Sequence, residues 1–185
     1  MRFKLLENSI SEYISQKDFN NFLQNNCSEY LKEKEHYDLY RGIKIANPEN
    51  QNYQRFVMTP NRNRHPKDVD IKIQDFVDEF FIKKFGWAPR RTGVFATEEA
   101  SFAADFGSIW KIYPSNGFRF LWSPDVRDLF DVADFPGRGK KTVEDVNIYL
   151  DDEILPTYIN SDLISAIKSG HEIMINCDQY GGELV

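Results

Sequence analysis

Two cysteines, Cys27 and Cys177, are all that 185 residues offer for disulfide chemistry. They are too few for a framework, so a reducing cytoplasm is the expected compartment. No apolar run approaches the ~20 residues of a membrane-spanning helix. The opening Met1-Arg2-Phe3-Lys4-Leu5-Leu6-Glu7-Asn8 shows neither the apolar stretch nor the small-residue cleavage site of a secretory signal. No membrane partner is expected. A basic excess is missing too: 23 Lys and Arg stand against 29 Asp and Glu, a net charge of −6. That balance excludes a protein that coats duplex nucleic acid by neutralising phosphate, while leaving room for an enzyme with a local basic patch. The three histidines, His36, His65 and His171, lack ligand spacing, and no metal is expected. Internal repeats and low-complexity linkers are absent.

Bulk apolar material is plentiful, with 15 Phe, 9 Tyr and a 41% hydrophobic fraction. A chain of this length can bury roughly 70% of the surface its unfolded form exposes. One domain spanning 1–185 is expected, with a helical extension over 1–36 and a core over 37–177. In the extension, Ile10, Tyr13, Ile14, Phe19, Phe22 and Leu23 recur at helical spacing, with a break near Asn25-Asn26. Leu39, Arg41, Ile43 and Ile45 then alternate as a strand. Residues 46–67, rich in Asn, Pro and Arg, read as a long loop.

A helix is expected over 69–85, its stripe made by Ile73, Phe76, Val77, Phe80 and Phe81 and its end marked by Gly86. Gly93–Thr97 reads as a strand, and 98–106 as a helix that Thr97 caps and Gly107 closes. Strands are expected over 109–113 and 118–122. Ser123-Pro124-Asp125 signals a helix start, Thr142-Val143-Glu144-Asp145 a capping box, and Ser161-Asp162 a last helix ended by Gly170. His171–Cys177 alternates as a strand. The mixture lacks the β-α-β beat of a parallel sheet, which predicts an α+β fold.

Three features depart from ordinary core material. Arg41 sits in a strand between Leu39 and Ile43, where a guanidinium is costly without an anionic partner. It is followed by Gly42, which would let a ligand approach the backbone. The competing reading is an edge-strand arginine paired internally. Thr97 places a hydroxyl at a strand-to-helix step, where plain N-capping is the competing role. Glu172 stands at the mouth of the last strand, where it either faces a cleft or is simply solvated.

In order and type, Leu39-Tyr40-Arg41-Gly42-Ile43, then Val94-Phe95-Ala96-Thr97 leading into an alanine-rich helix, then Glu172 opening a late strand, resemble the ADP-ribosyltransferase family. The likeness is to its Arg…Ser/Thr…Glu subgroup of bacterial toxins and bacteriophage enzymes, and it covers roughly 37–177. It implies a split, mixed β-core that grips NAD+ as a substrate. Glu172 would stabilise the positive charge that builds on ribose as the nicotinamide bond breaks, and Arg41 would pair with the pyrophosphate. Thr97 would orient Glu172 or the ribose, with Phe95 or Tyr40 beside nicotinamide and Gly42 lining the cofactor.

Two departures stand out, the first bearing on the network that orients the site and the second on the acceptor. Ala96-Thr97-Glu98 stands where many relatives carry Ser-Thr-Ser, and Gly170 stands where arginine-modifying members carry Glu or Gln. A protein side chain, an RNA or DNA base, or water thus remain open as acceptors, and an antitoxin or host partner is possible. The basic stretch Arg62, Arg64, His65 and Lys67, with Arg90-Arg91, either holds phosphates, Arg64 among them, or is a solvated loop. Two non-enzymatic alternatives stand beside catalysis: a nucleotide- or partner-binding module with the same fold, and an acidic mimic of nucleic acid.

Overall fold

The computed structural model describes residues 13–44, 54–65, 69–129 and 142–185. In chain order these form α1 (Gln16–Asn26), α2 (Ser28–Glu33), β1 (Tyr40–Ile43), β2 (Arg55–Met58), α3 (Ile71–Phe85), α4 (Pro89–Thr92), β3 (Val94–Ala96) and α5 (Ala100–Ala104). There follow β4 (Ser108–Pro114), β5 (Arg119–Leu121), α6 (Val143–Tyr149), a π-helical turn (Leu150–Ile154) running into a 3-10 turn (Leu155–Thr157), α7 (Leu163–Lys168), β6 (Ile173–Asn176) and β7 (Tyr180–Leu184). The fold is α+β.

The strands build two sheets, β1-β4-β7-β2 and β3-β6-β5. Every pairing among the described strands is antiparallel, where the family resemblance implied a mixed core. Opposed residues share a face. The register Arg41↔Trp110 and the run Ile112↔Gly182↔Phe56 thus place Arg41, Trp110, Ile112 and Phe56 on one face of the larger sheet. That face meets Val94, Ala96, Ile173 and Ile175 of the smaller sheet in one buried cluster. The other face carries Tyr40, Gly42, Lys111 and Gly181. Here α1 and α2 pack, with Phe19 and Tyr30 set edge-on to Tyr113. Helices expected as an extension therefore complete the core.

The smaller sheet is covered on its far side by α3, α6 and the turns after α6. Ile73, Val77 and Phe81 of α3 meet Leu150, Leu155, Tyr158, Leu121 and Met174. Phe81 and Tyr158 stack edge-to-face with centroids 5.1 Å apart. Asp70 caps α3, and Gly86 ends it in the left-handed region at φ 80°, as the sequence predicts. The Thr142/Asp145 capping box is also present.

Several sequence expectations change. Residues 55–58, read as loop, form β2, an edge strand paired to β7 over Arg55–Met58. The helix expected over 98–106 shrinks to Ala100–Ala104. Among the described residues Ser123 starts no helix. Its hydroxyl accepts from the Asp125 and Val126 amides, an isolated turn. The expectations for Ile10, Ile45, residues 46–53 and Lys67 lie outside the described residues. No described helix is long and apolar enough to cross a membrane.

Candidate functional site: a guanidinium cluster around Phe95 and Glu172

β3 is the outer strand of its sheet, so one row of its backbone groups faces away from β6. Arg41 reaches across from the larger sheet, and its Nη1 donates to the Phe95 carbonyl. The two sheets are tied again one residue on, where Tyr40 and Thr97 exchange backbone hydrogen bonds of 2.6 and 2.9 Å. Part of the guanidinium's cost of burial is thus met by an edge carbonyl. Arg41 also bonds the Tyr180 hydroxyl and lies within electrostatic reach of Glu172.

Phe95 presents its ring to the α3 side, where two more guanidiniums lie over it. The Arg64 Cζ is 4.4 Å from the ring centroid and the Arg90 Cζ is 4.3 Å. Guanidinium planes favour such aromatic faces. Arg41, Arg64 and Arg90 are only 7%, 4% and 5% exposed. Burial and the neighbouring Arg41 and Arg90 charges push the Arg64 guanidinium well below its ordinary value, while Tyr180 and Glu172 act the other way. Crowded like charges of this kind are what a bound polyanion relieves.

Glu172 enters from the start of β6, on the same side of the sheet as Met174 and Phe95. Its amide donates to the Arg127 carbonyl at 2.8 Å, fixing the backbone. The Arg90 Nη1 bonds its Oε1 at 2.9 Å, and the carboxylate side chain is 13% exposed. Burial raises this carboxyl from 4.5 to about 7; Arg90 pulls it down, Asp128 pushes it up, and Arg64 pulls it down again. A shifted carboxyl buried beside several guanidiniums marks a candidate site, a signature that structural ion-pair networks share.

Arg90 is held in turn. Its amide donates to Asp78 Oδ1 of α3 at 3.0 Å. Asp78 is buried and raised by that burial from 3.8 to about 6. Arg91, its neighbour, turns away to Asp75 and Asp78.

The residues singled out from sequence divide cleanly. Arg41, Glu172, Phe95 and Arg64 meet in this cluster. Tyr40 does not: strand alternation puts it on the opposite face, level with Lys111. Gly42 is also elsewhere. A Cβ there would stand 2.0 Å from the Ala103 carbonyl oxygen and 2.8 Å from Phe106, so this glycine admits α5 rather than a ligand. Thr97 commits its one hydroxyl proton to the Gly170 carbonyl at 2.7 Å, and its oxygen accepts from the Glu99 amide. It clasps the chain that leads into Glu172 instead of touching the carboxyl. Of the basic stretch, Arg62 binds Asn176 and the Cys177 carbonyl as a strut. Asp78 and Tyr180 were not singled out. Tyr180 opens a strand with two glycines, a composition that reads as loop.

No protein-family model, no curated protein and no solved structure matches the chain. What the site can do follows from its own chemistry.

Proposed function

We propose that this chain is an NAD+-dependent ADP-ribosyltransferase acting on a macromolecule, a protein or a nucleic acid, as a toxin or bacteriophage effector. One observation carries the reading: Glu172 and three guanidiniums, from four separate stretches of chain, meet around Phe95. Arg41 and Arg64 would take the pyrophosphate, a dianion matched to their planar forks. Glu172, ionised, would face the ribose as the C1′–nitrogen bond breaks and its electron pair leaves on nicotinamide. The acceptor heteroatom bonds C1′ and gives its proton to solvent.

Phe95 would serve as the platform that holds the Arg64 and Arg90 guanidiniums in place. Thr97 acts through the backbone at Gly170, keeping Glu172 at the strand mouth. Incubating the protein with labelled NAD+ and cell lysate, beside E172Q, tests this directly. Wild-type nicotinamide release with label on a macromolecule is expected. Absence of both ends the reading.

A second reading has its own observation. Glu172 is engaged by Arg90 and the Thr97 hydroxyl is turned to Gly170, which suits a module that binds a nucleotide without turnover. Calorimetry separates the two: NAD+ binding without nicotinamide release identifies the module.

A further inference from the structure

Five groups from other stretches of the chain face Glu172, four of them being Arg41 on β1, Arg64 ahead of α3, Tyr158 after the 3-10 turn, and Asp128 after β5. The fifth, Arg90, makes the direct contact, and it is constrained at three points. Its backbone is anchored on Asp78, its guanidinium plane lies over Phe95, and its Nη1 holds Oε1 of Glu172. The helix that carries it, four residues long, begins with Pro89 and abuts Gly93, where a Cβ would stand 2.6 Å from the Pro89 carbonyl oxygen. Little freedom is left for this side chain to swing.

We propose that Arg90 is the positioning residue for Glu172, taking Oε1 so that the ionised form of the carboxyl is favoured and its second oxygen, Oε2, is presented to the ribose. The proposal rests on the transferase reading and adds a residue to it. An ammonium could supply the charge but not the planar stack on Phe95, so shape as well as charge belongs to the role. Asp78 acts behind Arg90, and the three residues form a line from α3 through α4 to β6.

R90M and R90K decide the matter through the pH profile of nicotinamide release. An opposite charge at this range moves a carboxyl by one pH unit or more. R90M is expected to raise the midpoint of the acid limb by about one unit or more. The same variant should lower kcat at pH 7 about tenfold with little change in KM, and recover activity at pH 9. R90K should fall between R90M and wild type, and it gives the answer if R90M fails to fold. An unmoved midpoint with a raised KM overturns the proposal and makes Arg90 a substrate contact.

If the wild type releases no nicotinamide, the transferase reading fails, and the Glu172 carboxyl is followed instead by carbon NMR in wild type, R90K and R90M. A higher titration midpoint in the variants supports the coupling. Identical midpoints overturn it.

Discussion

At the scale of single residues, the decisive quantity is the ionisation of Glu172. Its carboxyl is raised to about 7, chiefly by burial, so near neutrality only part of the protein carries the charge the proposed reaction would need. Turnover should therefore rise with pH, about tenfold per unit below the midpoint, and level off above it. A stopped assay of nicotinamide release between pH 5 and 9 checks this; a flat profile would remove Glu172 from the chemistry. E172Q should lose at least about a hundredfold in kcat while NAD+ affinity, by calorimetry, changes little, because in the proposed reaction the carboxylate would act on charge that develops late. R41K should weaken NAD+ binding about tenfold, since an ammonium cannot hold both the Phe95 carbonyl and a phosphate in one plane.

At the scale of elements, the junction of β1 with α5 is closely confined at Gly42. G42A would force a methyl onto the Ala103 carbonyl oxygen, a backbone atom that cannot turn aside. A loss of about 3 kcal/mol or more is expected in urea unfolding, with no specific effect on NAD+ affinity in the protein that remains folded. T97V is a softer test. It removes the tie to Gly170 and the acceptor for the Glu99 amide. A stability loss of about 1–2 kcal/mol should appear, and kcat should fall further than thermal melting accounts for if the clasp positions Glu172.

Legibility also differs by element. α3 could be read because a long amphipathic stripe ends on a glycine with φ 80°. β7 could not, because Gly181 and Gly182 leave no side-chain pattern. Their value lies in what they admit, the Phe19, Phe22 and Phe56 rings laid against bare backbone. Likewise Arg41 and Glu172 announced themselves as charges at strand positions. The part of Arg90 as the direct partner of Glu172 depends on a four-residue helix and a buried aspartate twelve positions earlier, a contact no local pattern encodes.

For the molecule as a whole, the raised carboxyls set how stability responds to acid. Glu172 moves from 4.5 to about 7 on folding, and Asp78 from 3.8 to about 6. Between those limits the folded state keeps protons that the unfolded chain has released. Linkage then makes these two groups lower stability as pH rises through the window, by about 1.4 kcal/mol per group for each pH unit. E172Q should remove its share, so the variant should gain on the wild type in urea midpoint from pH 5 to 7. A constant difference across that range would contradict the assigned ionisation.

The two-sheet plan also has a consequence for the order in which the strands can come together. β7 lies inside the larger sheet, hydrogen-bonded to β4 on one edge and β2 on the other. Until β7 docks, β4 has β1 alone beside it and β2 has no other strand of the sheet to pair with, and Tyr180 reaches Arg41 only then. The strand that comes last among the described residues is therefore the one that joins β2 to the rest of the larger sheet.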